Sequence, residues 1–533
     1  MRIDPDRLRF EIHAAEPGGA ARAGTLHTAH GPVDTPAFVP LATRGSVKGL
    51  LPDEVRSLGF EMVLGNTYHL MLAPGAERVA EFGGLHSFMD WPGAIITDSG
   101  GFQVFSLAHG AVADEIKGRR GRPPLEGGVL AIGEEGVRFR SYVDGSERFL
   151  SPERSMQVQA ALGSDIALVF DECTPFNADR DYTARSMERT HRWLDRCLAW
   201  HEAEGPARQA VFGIVQGGVH EDLRRISAEA VSAAAVDGLA IGGTLGKDKE
   251  QMRAVLDMTL AGLPTAAPKH LLGIGEPDDL VDGIARGIDA FDCAVPTRLG
   301  RHGMALAPLP DRRFRFDVRK PREARGRGPL VEGCPCPACA RMTRGYVHYL
   351  SRSEELTGVR LITLHNLVYT EAIVSGARAA IAAGGFRQFR AAILDGETPW
   401  AAAALTAAED EDDAGAAFPL LAQVRRDDGG LVADVPLDPV ADPFLIGHRL
   451  RGKPLLPVVV AMLAALLLRC VFFRGGHWSF SGRRFVLALV SHTLWAADFV
   501  WPKSAIDGWS PTASSNQRHD GRERPDGRLH RDP

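Results

Sequence analysis

At 533 residues the chain exceeds one typical domain, so two or more compact units are expected. Its 45% hydrophobic and 24% charged content is ordinary for a globular protein, and a net charge of −6 gives no whole-chain case for nucleic-acid binding. Seven cysteines, three of them within six positions, do not form a disulfide framework, and the opening Met1-Arg2-Ile3-Asp4-Pro5-Asp6 lacks a signal-peptide core; both point to a reducing cytoplasm.

From Pro36 onward, eight short apolar segments end in polar or glycine-rich clusters. They are Ala37-Phe38-Val39, Met62-Val63-Leu64, Ala94 to Thr97, Asp165 to Phe170, Val211 to Val215, Leu239-Ala240-Ile241, His270 to Ile274 and Ile288 to Phe291. Apolar runs without alternation suit strands buried on both faces of a parallel sheet. Helical patterns lie between several of them, at Ser186 to Glu202, Glu221 to Ala235 and Lys249 to Ala261. The fold class is therefore α/β, a (β/α)8 TIM barrel whose functional groups gather where strands end. A doubly wound sheet is the alternative, but no G-x-G-x-x-G follows the first strand.

Between the third and fourth strands, alternation on either side of Asp144-Gly145 predicts a hairpin. After the eighth strand, Arg298 to Arg327 carries ten Lys/Arg against three acids, either a solvated face or a phosphate-tracking surface. Next comes Cys334-Pro335-Cys336-Pro337-Ala338-Cys339, with His365 further on. Three thiolates and an imidazole satisfy tetrahedral zinc and leave no position open, so a structural Zn2+ is expected. Residues 1–392 are read as the barrel, with a zinc-binding subdomain at about 328–370. Residues 393–430 are an Ala-rich and acidic linker, and 431–533 an atypical, partly disordered extension.

The chemistry-bearing residues fall at the strand ends. Asp98, followed by Ser99-Gly100-Gly101-Phe102-Gln103, and Asp292, followed by Pro296-Thr297-Arg298, make a candidate pair of carboxylates. One can attack an anomeric carbon while the other moves a proton. Paired glycines admit a close ligand, and Phe102 offers a stacking face. Asp171 and Gln216 suit a purine-like edge, the carboxylate accepting N–H groups and the carboxamide donating to a carbonyl oxygen. Taken singly, each is equally an N-cap or a satisfied strand-end group.

Together these motifs resemble the tRNA-guanine transglycosylases of the bacterial queuosine-pathway type, from about Phe10 to Phe389. The resemblance rests on Asp98 to Gln103, Phe170-Asp171-Glu172-Cys173, Gly213 to Gly218, Ile241-Gly242-Gly243, Gly273 to Pro277, Asp292-Cys293 with Pro296 to Arg298, and the cysteine pattern. It implies a (β/α)8 barrel with a zinc-bearing insertion, acting as a homodimer on guanine at the wobble position of GUN-anticodon tRNAs. The incoming base would be 7-aminomethyl-7-deazaguanine. It further implies Asp292 as nucleophile and Asp98 as proton acceptor. Asp98, Ser99, Gly100, Gly101, Phe102, Asp171, Gln216 and Gly243 would hold the base. Gly273, Ile274, Gly275, Glu276, Pro277, Asp278 and Asp279 would contact the RNA, with Thr297, Arg298, Leu299, Gly300 and Arg301. Cys334, Cys336, Cys339 and His365 would ligate the metal.

In one loop the chain departs from the family. Many relatives read Gly-Gly-Leu-Ala-Val-Gly-Glu where this chain has Gly242-Gly243-Thr244-Leu245-Gly246-Lys247-Asp248. The smaller Gly246 and shorter Asp248 suggest room for a bulkier base such as queuine. Beyond the linker, Asp442 to His448 resembles the opening of a polyketide-synthase-type hot-dog dehydratase, over about 20 residues and without a partner aspartate. The uncharged run Pro454 to Leu468 is short for a membrane span, so no membrane association is expected. Two rivals are a catalytically silent RNA-binding partner subunit and an archaeal-type enzyme acting in the D-arm. Both carboxylates argue against the first, and the absence of a recognisable C-terminal RNA-binding module argues against the second.

Overall fold

All eight apolar segments pair edge to edge into one closed parallel barrel in this computed structural model, which describes residues 5–103, 128–174 and 176–407 and four short strands beyond them. The barrel strands are Ala37–Ala42, Met62–Gly65, Ala94–Thr97, Ile166–Leu168, Ala210–Val215, Gly238–Ile241, Lys269–Leu271 and Ala290–Cys293. Closure comes from the last strand pairing with the first, Ala290 opposite Ala37 through Cys293 opposite Pro40. Helices outside and packed side chains inside bury nearly every strand position, which explains the uninterrupted apolar runs.

Helix Lys249–Ala261 has the bounds its periodicity gave, whereas Arg180–Glu204 begins six residues before the expected start. There Asp179 caps the helix by accepting the Tyr182 amide at 2.7 Å, so a polar first turn is stabilised without an apolar stripe. The Asp144-Gly145 hairpin joins Gly136–Arg140 to Glu147–Leu150, antiparallel.

A three-stranded antiparallel sheet, Arg9–Ala15, Arg22–Thr28 and Gly31–Thr35, precedes the barrel and was not foreseen. Its first strand is mostly exposed and polar, so it carries no buried-strand signature. It is joined to residues that precede barrel strands. Arg22 forks onto buried Asp289 with bonds of 2.8 and 2.6 Å. His30 meets Asp165 at 2.7 Å. These contacts cover the floor, opposite the end where Asp98 and Asp171 emerge.

After the last strand the chain adds the antiparallel pair Met304–Leu306 and Arg315–Asp317 and the helices Pro337–Arg341 and Arg344–Arg352. It then returns along the 27-residue helix Leu356–Ala382. A small second core of Phe316, Val318, Leu330, Val331, Val347 and Ile362 lies here. The start of the expected linker is helical: Phe386–Asp395 is followed by Pro399–Ala407. Alanine and leucine favour helix, and the Trp400 ring anchors this one edge-on to Tyr369, with centroids 5.9 Å apart.

The acidic run Glu409 to Asp413 lies outside the described residues, as do His448 and the apolar stretch from Leu455 to Leu468. A second unit, Asp413–Pro533, contains two short antiparallel pairs, Gln423–Asp427 with Gly430–Asp434 and Arg449–Leu450 with Lys453–Pro454. Among the described residues no helix is long and apolar enough to cross a membrane.

Candidate active site at the barrel mouth

Asp292 sits on the last barrel strand with its carboxylate held from one side. His270 Nε2 lies 2.8 Å from Oδ1, and the Gly273 amide donates to the same oxygen at 3.3 Å. No described residue bonds Oδ2, so this oxygen is left to face the mouth. His270 is buried on the adjacent strand, where the sequence marked it only as an apolar-run residue. Alternation along a barrel strand could have flagged it, because it shares the inward register of its neighbour's functional residue.

Asp98 leaves the third strand and is gripped by the segment after the second strand and by its own: Thr67 N donates to Oδ1 at 2.8 Å, Gln103 Nε2 to Oδ2 at 3.1 Å, and Asn66 Nδ2 also to Oδ2. Burial raises its pKa to about 7, against the Thr67 hydrogen bond, and the nearby negative charge of Asp292 pushes in the same direction as burial. A carboxylate poised there can take or return a proton at neutral pH. Exchange is therefore expected to rise with pH and level off above about 7, with Asp98→Asn removing that limb, as a pH–rate profile of the exchange would read. The stability sign is opposite. The folded state holds the Asp98 proton more tightly than the unfolded one, so this contribution is lost as pH rises from the ordinary 3.8 through about 7.

The next residue serves a different carboxylate. Ser99 Oγ donates to Asp171 Oδ1 at 2.9 Å, and Gln216 Nε2 donates to Oδ2 at 2.6 Å. Burial lifts the Asp171 pKa to about 6, partly offset by those two bonds. At Gly101 an added Cβ would lie 2.5 Å from the Asp171 carbonyl oxygen, so only glycine lets the two chains approach. Phe102 leaves a ring face open to solvent beside them.

Gln216 has one amide hydrogen engaged by Asp171 and the other available, while its Oε1 is buried without a partner among the described residues. Gly243 has φ +76°, and a Cβ there would meet that Oε1 at 2.3 Å. The departures at Gly246 and Asp248 each have a local structural account. Gly246 has φ +105° and the Gln251 side chain fills the space where its Cβ would lie, 2.7 Å from Cγ. Asp248 caps helix Lys249–Ala261 by accepting the Gln251 amide at 2.9 Å.

The expected RNA-contact segments flank Asp292 but differ in charge. In Gly273 to Asp279 the acids are internally neutralised: Lys249 Nζ meets Glu276 at 3.1 Å, Asp278 at 2.5 Å and Asp279 at 3.0 Å, and Arg313 meets Glu276 at 2.6 Å. Arg315, Arg319 and Arg322 of the basic stretch also face carboxylates. Among the described residues Arg298 and Arg301 have no carboxylate partner, and Arg301's pKa is lowered by burial and by Arg298 beside it. Arg301 Nη1 rests 3.3 Å from the Thr297 hydroxyl. Gly300 is required by packing, since a Cβ there would lie 2.4 Å from Thr363 Oγ1 on the long helix.

Cys334, Cys336 and Cys339 place their sulfurs 3.5, 3.6 and 3.4 Å from His365 Nδ1. A tetrahedral zinc with Zn–S of about 2.3 Å and Zn–N of about 2.0 Å has S···N edges of about 3.5 Å. The four residues thus fit a metal ion. Across the ring, Nε2 lies 2.8 Å from the Leu306 carbonyl, which fixes the proton there and leaves the Nδ1 lone pair for the metal. The following residue, Asn366, binds Leu306 N at 2.8 Å and the carbonyls of Pro296 at 2.9 Å and Met304 at 3.0 Å. It ties the metal end of the helix to the segment that carries Arg298. Asn366 did not stand out in the sequence, because an isolated asparagine has no periodic signature, whereas Asn66 belongs to the polar cluster Asn66-Thr67-Tyr68-His69 that closes the second apolar run.

A family model described as Queuine tRNA-ribosyltransferase matches residues 17–398. A protein named queuine tRNA-ribosyltransferase from Roseiflexus sp. (strain RS-1) is 51% identical over 393 residues, spanning 72% of this chain and 98% of that relative. The same name is borne by a relative from Symbiobacterium thermophilum, 46% identical over 389 residues, with 73% of this chain and 91% of the relative covered. In Novosphingobium aromaticivorans the figures are 45% over 391 residues, 72% and 97%.

Proposed function

The chain belongs to the queuine tRNA-ribosyltransferase family, and from that membership we propose that it replaces guanine at the wobble position of GUN-anticodon tRNAs by 7-aminomethyl-7-deazaguanine, in queuosine biosynthesis. It is a pentosyltransferase that works by double displacement. The observation that carries this reading is the one-sided hold on Asp292: His270 and Gly273 fix Oδ1 and leave Oδ2 for the ribose. The guanine nucleotide leaves the anticodon-loop stack, at a cost of about a few kcal/mol. Oδ2 forms a bond to C1′ as the C1′–N9 bond breaks, and guanine departs with the bonding pair and takes up a proton from solvent, to which Asp98 later returns the one it receives. The incoming base then gives its N9 proton to Asp98, N9 attacks C1′, and the Asp292 carboxylate is released. No ATP or redox cofactor enters this balance.

Asp171 would accept the base's N–H donors, the free Gln216 amide hydrogen and the Gly243 backbone would meet its carbonyl, and Phe102 would cover its face. Arg298 and Arg301, lacking acidic partners among the described residues, are the natural contacts for anticodon-loop phosphates. Zinc is the ion we assign to the three cysteines and His365, where it would hold the subdomain together without touching substrate. A homodimer and a cytoplasmic location accompany the family resemblance, and the second is supported by described cysteines that are all free of disulfides.

Incorporation of labelled guanine into a GUN-anticodon transcript tests the assignment; a purified chain that never incorporates it is not this enzyme. Competing 7-aminomethyl-7-deazaguanine and queuine against that label separates the two incoming bases, with exclusive use of queuine overturning the first. Within the same assay, Asp171→Asn is expected to raise the KM for guanine by roughly 100-fold, because a buried amide then faces the base's N–H donors. An unchanged KM would remove Asp171 from base recognition.

A further inference from the structure

Arg224 stands on helix Glu221–Ala233, fully buried, and among the described residues it has no carboxylate partner. Taking a guanidinium out of water without a counter-ion is costly, so its bonds must be good. They all go to main-chain carbonyls, one at the end of strand Ala210–Val215 and the others in the two glycine loops at the mouth. Nε donates to Gly218 at 2.7 Å, Nη1 to Gly242 at 3.0 Å and Val215 at 3.3 Å, and Nη2 to Thr244 at 2.9 Å. Burial lowers its pKa to about 10, which leaves it charged at neutral pH.

The planarity of the peptide unit converts these bonds into an aim. In a trans peptide the C=O of one residue and the N–H of the next point in opposite directions. Holding the Gly242 oxygen therefore turns the Gly243 N–H away from Arg224, where it meets the Cys173 thiol, a weak acceptor. A charged donor on the Gly242 carbonyl also polarises that peptide and strengthens the Gly243 N–H as a donor. On either side of this amide, Gln216 Oε1 and Thr244 Oγ1 are buried polar atoms without partners among the described residues, as expected of a loop shaped around a polar ligand.

We infer that Arg224 is a positioning residue for base specificity, whose guanidinium aims the Gly243 amide at the exocyclic carbonyl oxygen of the incoming nucleobase while locking the Gln216 loop beside it. This rests on the transglycosylase reading. Lysine cannot replace it, because a point-like ammonium does not span carbonyls on two loops.

Arg224→Lys and Arg224→Gln are to be assayed in the full chain with guanine as the probe. The expected result is a KM for guanine raised by roughly 10-fold or more, the loss of one aimed hydrogen bond, with the KM for tRNA held near wild type and both variants still folded at the assay temperature. The wild-type chain serves as control: if it fails to exchange guanine, the transglycosylase reading itself is lost. If it exchanges guanine but the KM for guanine is unmoved in the variants, or moves together with that for tRNA, the inference is overturned. Unfolding of both variants would overturn it too, by making Arg224 an element of barrel stability.

Discussion

Asp292→Asn is expected to lower guanine exchange by roughly 10⁴-fold or more while leaving the fold intact, the scale seen when a covalent nucleophile is removed. Asparagine keeps the shape of the side chain and can still accept from His270 Nε2, which now holds the carboxylate at 2.8 Å. What it lacks is a charged oxygen able to form and then release a ribosyl ester. On a denaturing gel the native chain is expected to carry a tRNA-linked species when incubated with a GUN-anticodon transcript, and the variant none. Exchange within tenfold of the native rate would remove Asp292 from the covalent step. A second readout is independent of turnover. The charge of Asp292 helps hold Asp98 up near 7, so the variant should show Asp98 titrating lower in a carboxyl NMR titration.

Cys336→Ser is expected to cost several kcal/mol of stability and the bound metal, measured as a lower melting temperature alongside elemental analysis. The reason is the size of the local core. The cysteines are packed with a small set of apolar residues, among them Phe316, Val318, Leu330, Val331 and Val347. Small cores of this kind rely on a metal, and zinc sites in isolated peptides contribute on the order of 10 kcal/mol or more. Cys336 is nearly fully buried and caps the short helix Pro337–Arg341 by accepting the Cys339 amide at 3.3 Å, so serine loses both the ligand and part of the cap geometry. A variant that melts with the native protein, or retains one equivalent of metal, would make the site dispensable.

Most of the barrel was legible because burial on two faces writes the same signal into each strand: an apolar run such as Ala94 to Thr97, closed by a polar cluster. The floor sheet was not, since strands such as Arg9–Ala15 are half in water and are held by pairing rather than by apolar content. At the mouth, the groups that stand at the ends of strands could be named from spacing. The groups that hold them could not. His270 looked like part of a strand, and neither Arg224 nor Asn366 carried a signal of its own. Their roles depend on partners 22, 18 and 70 residues away in sequence. In the loop at Gly246, side-chain size is only part of what decides the local space. Residue size suggested added room, while the backbone angle and the Gln251 side chain set what a side chain at position 246 would meet.

Adjacent positions on one helix, His365 and Asn366, answer to different parts of the molecule, the first to the metal ligands and the second to the backbone that follows the nucleophile. Depletion of the ion should thus register first as poorer grip on the anticodon stem-loop, with catalysis on already-bound transcript declining later.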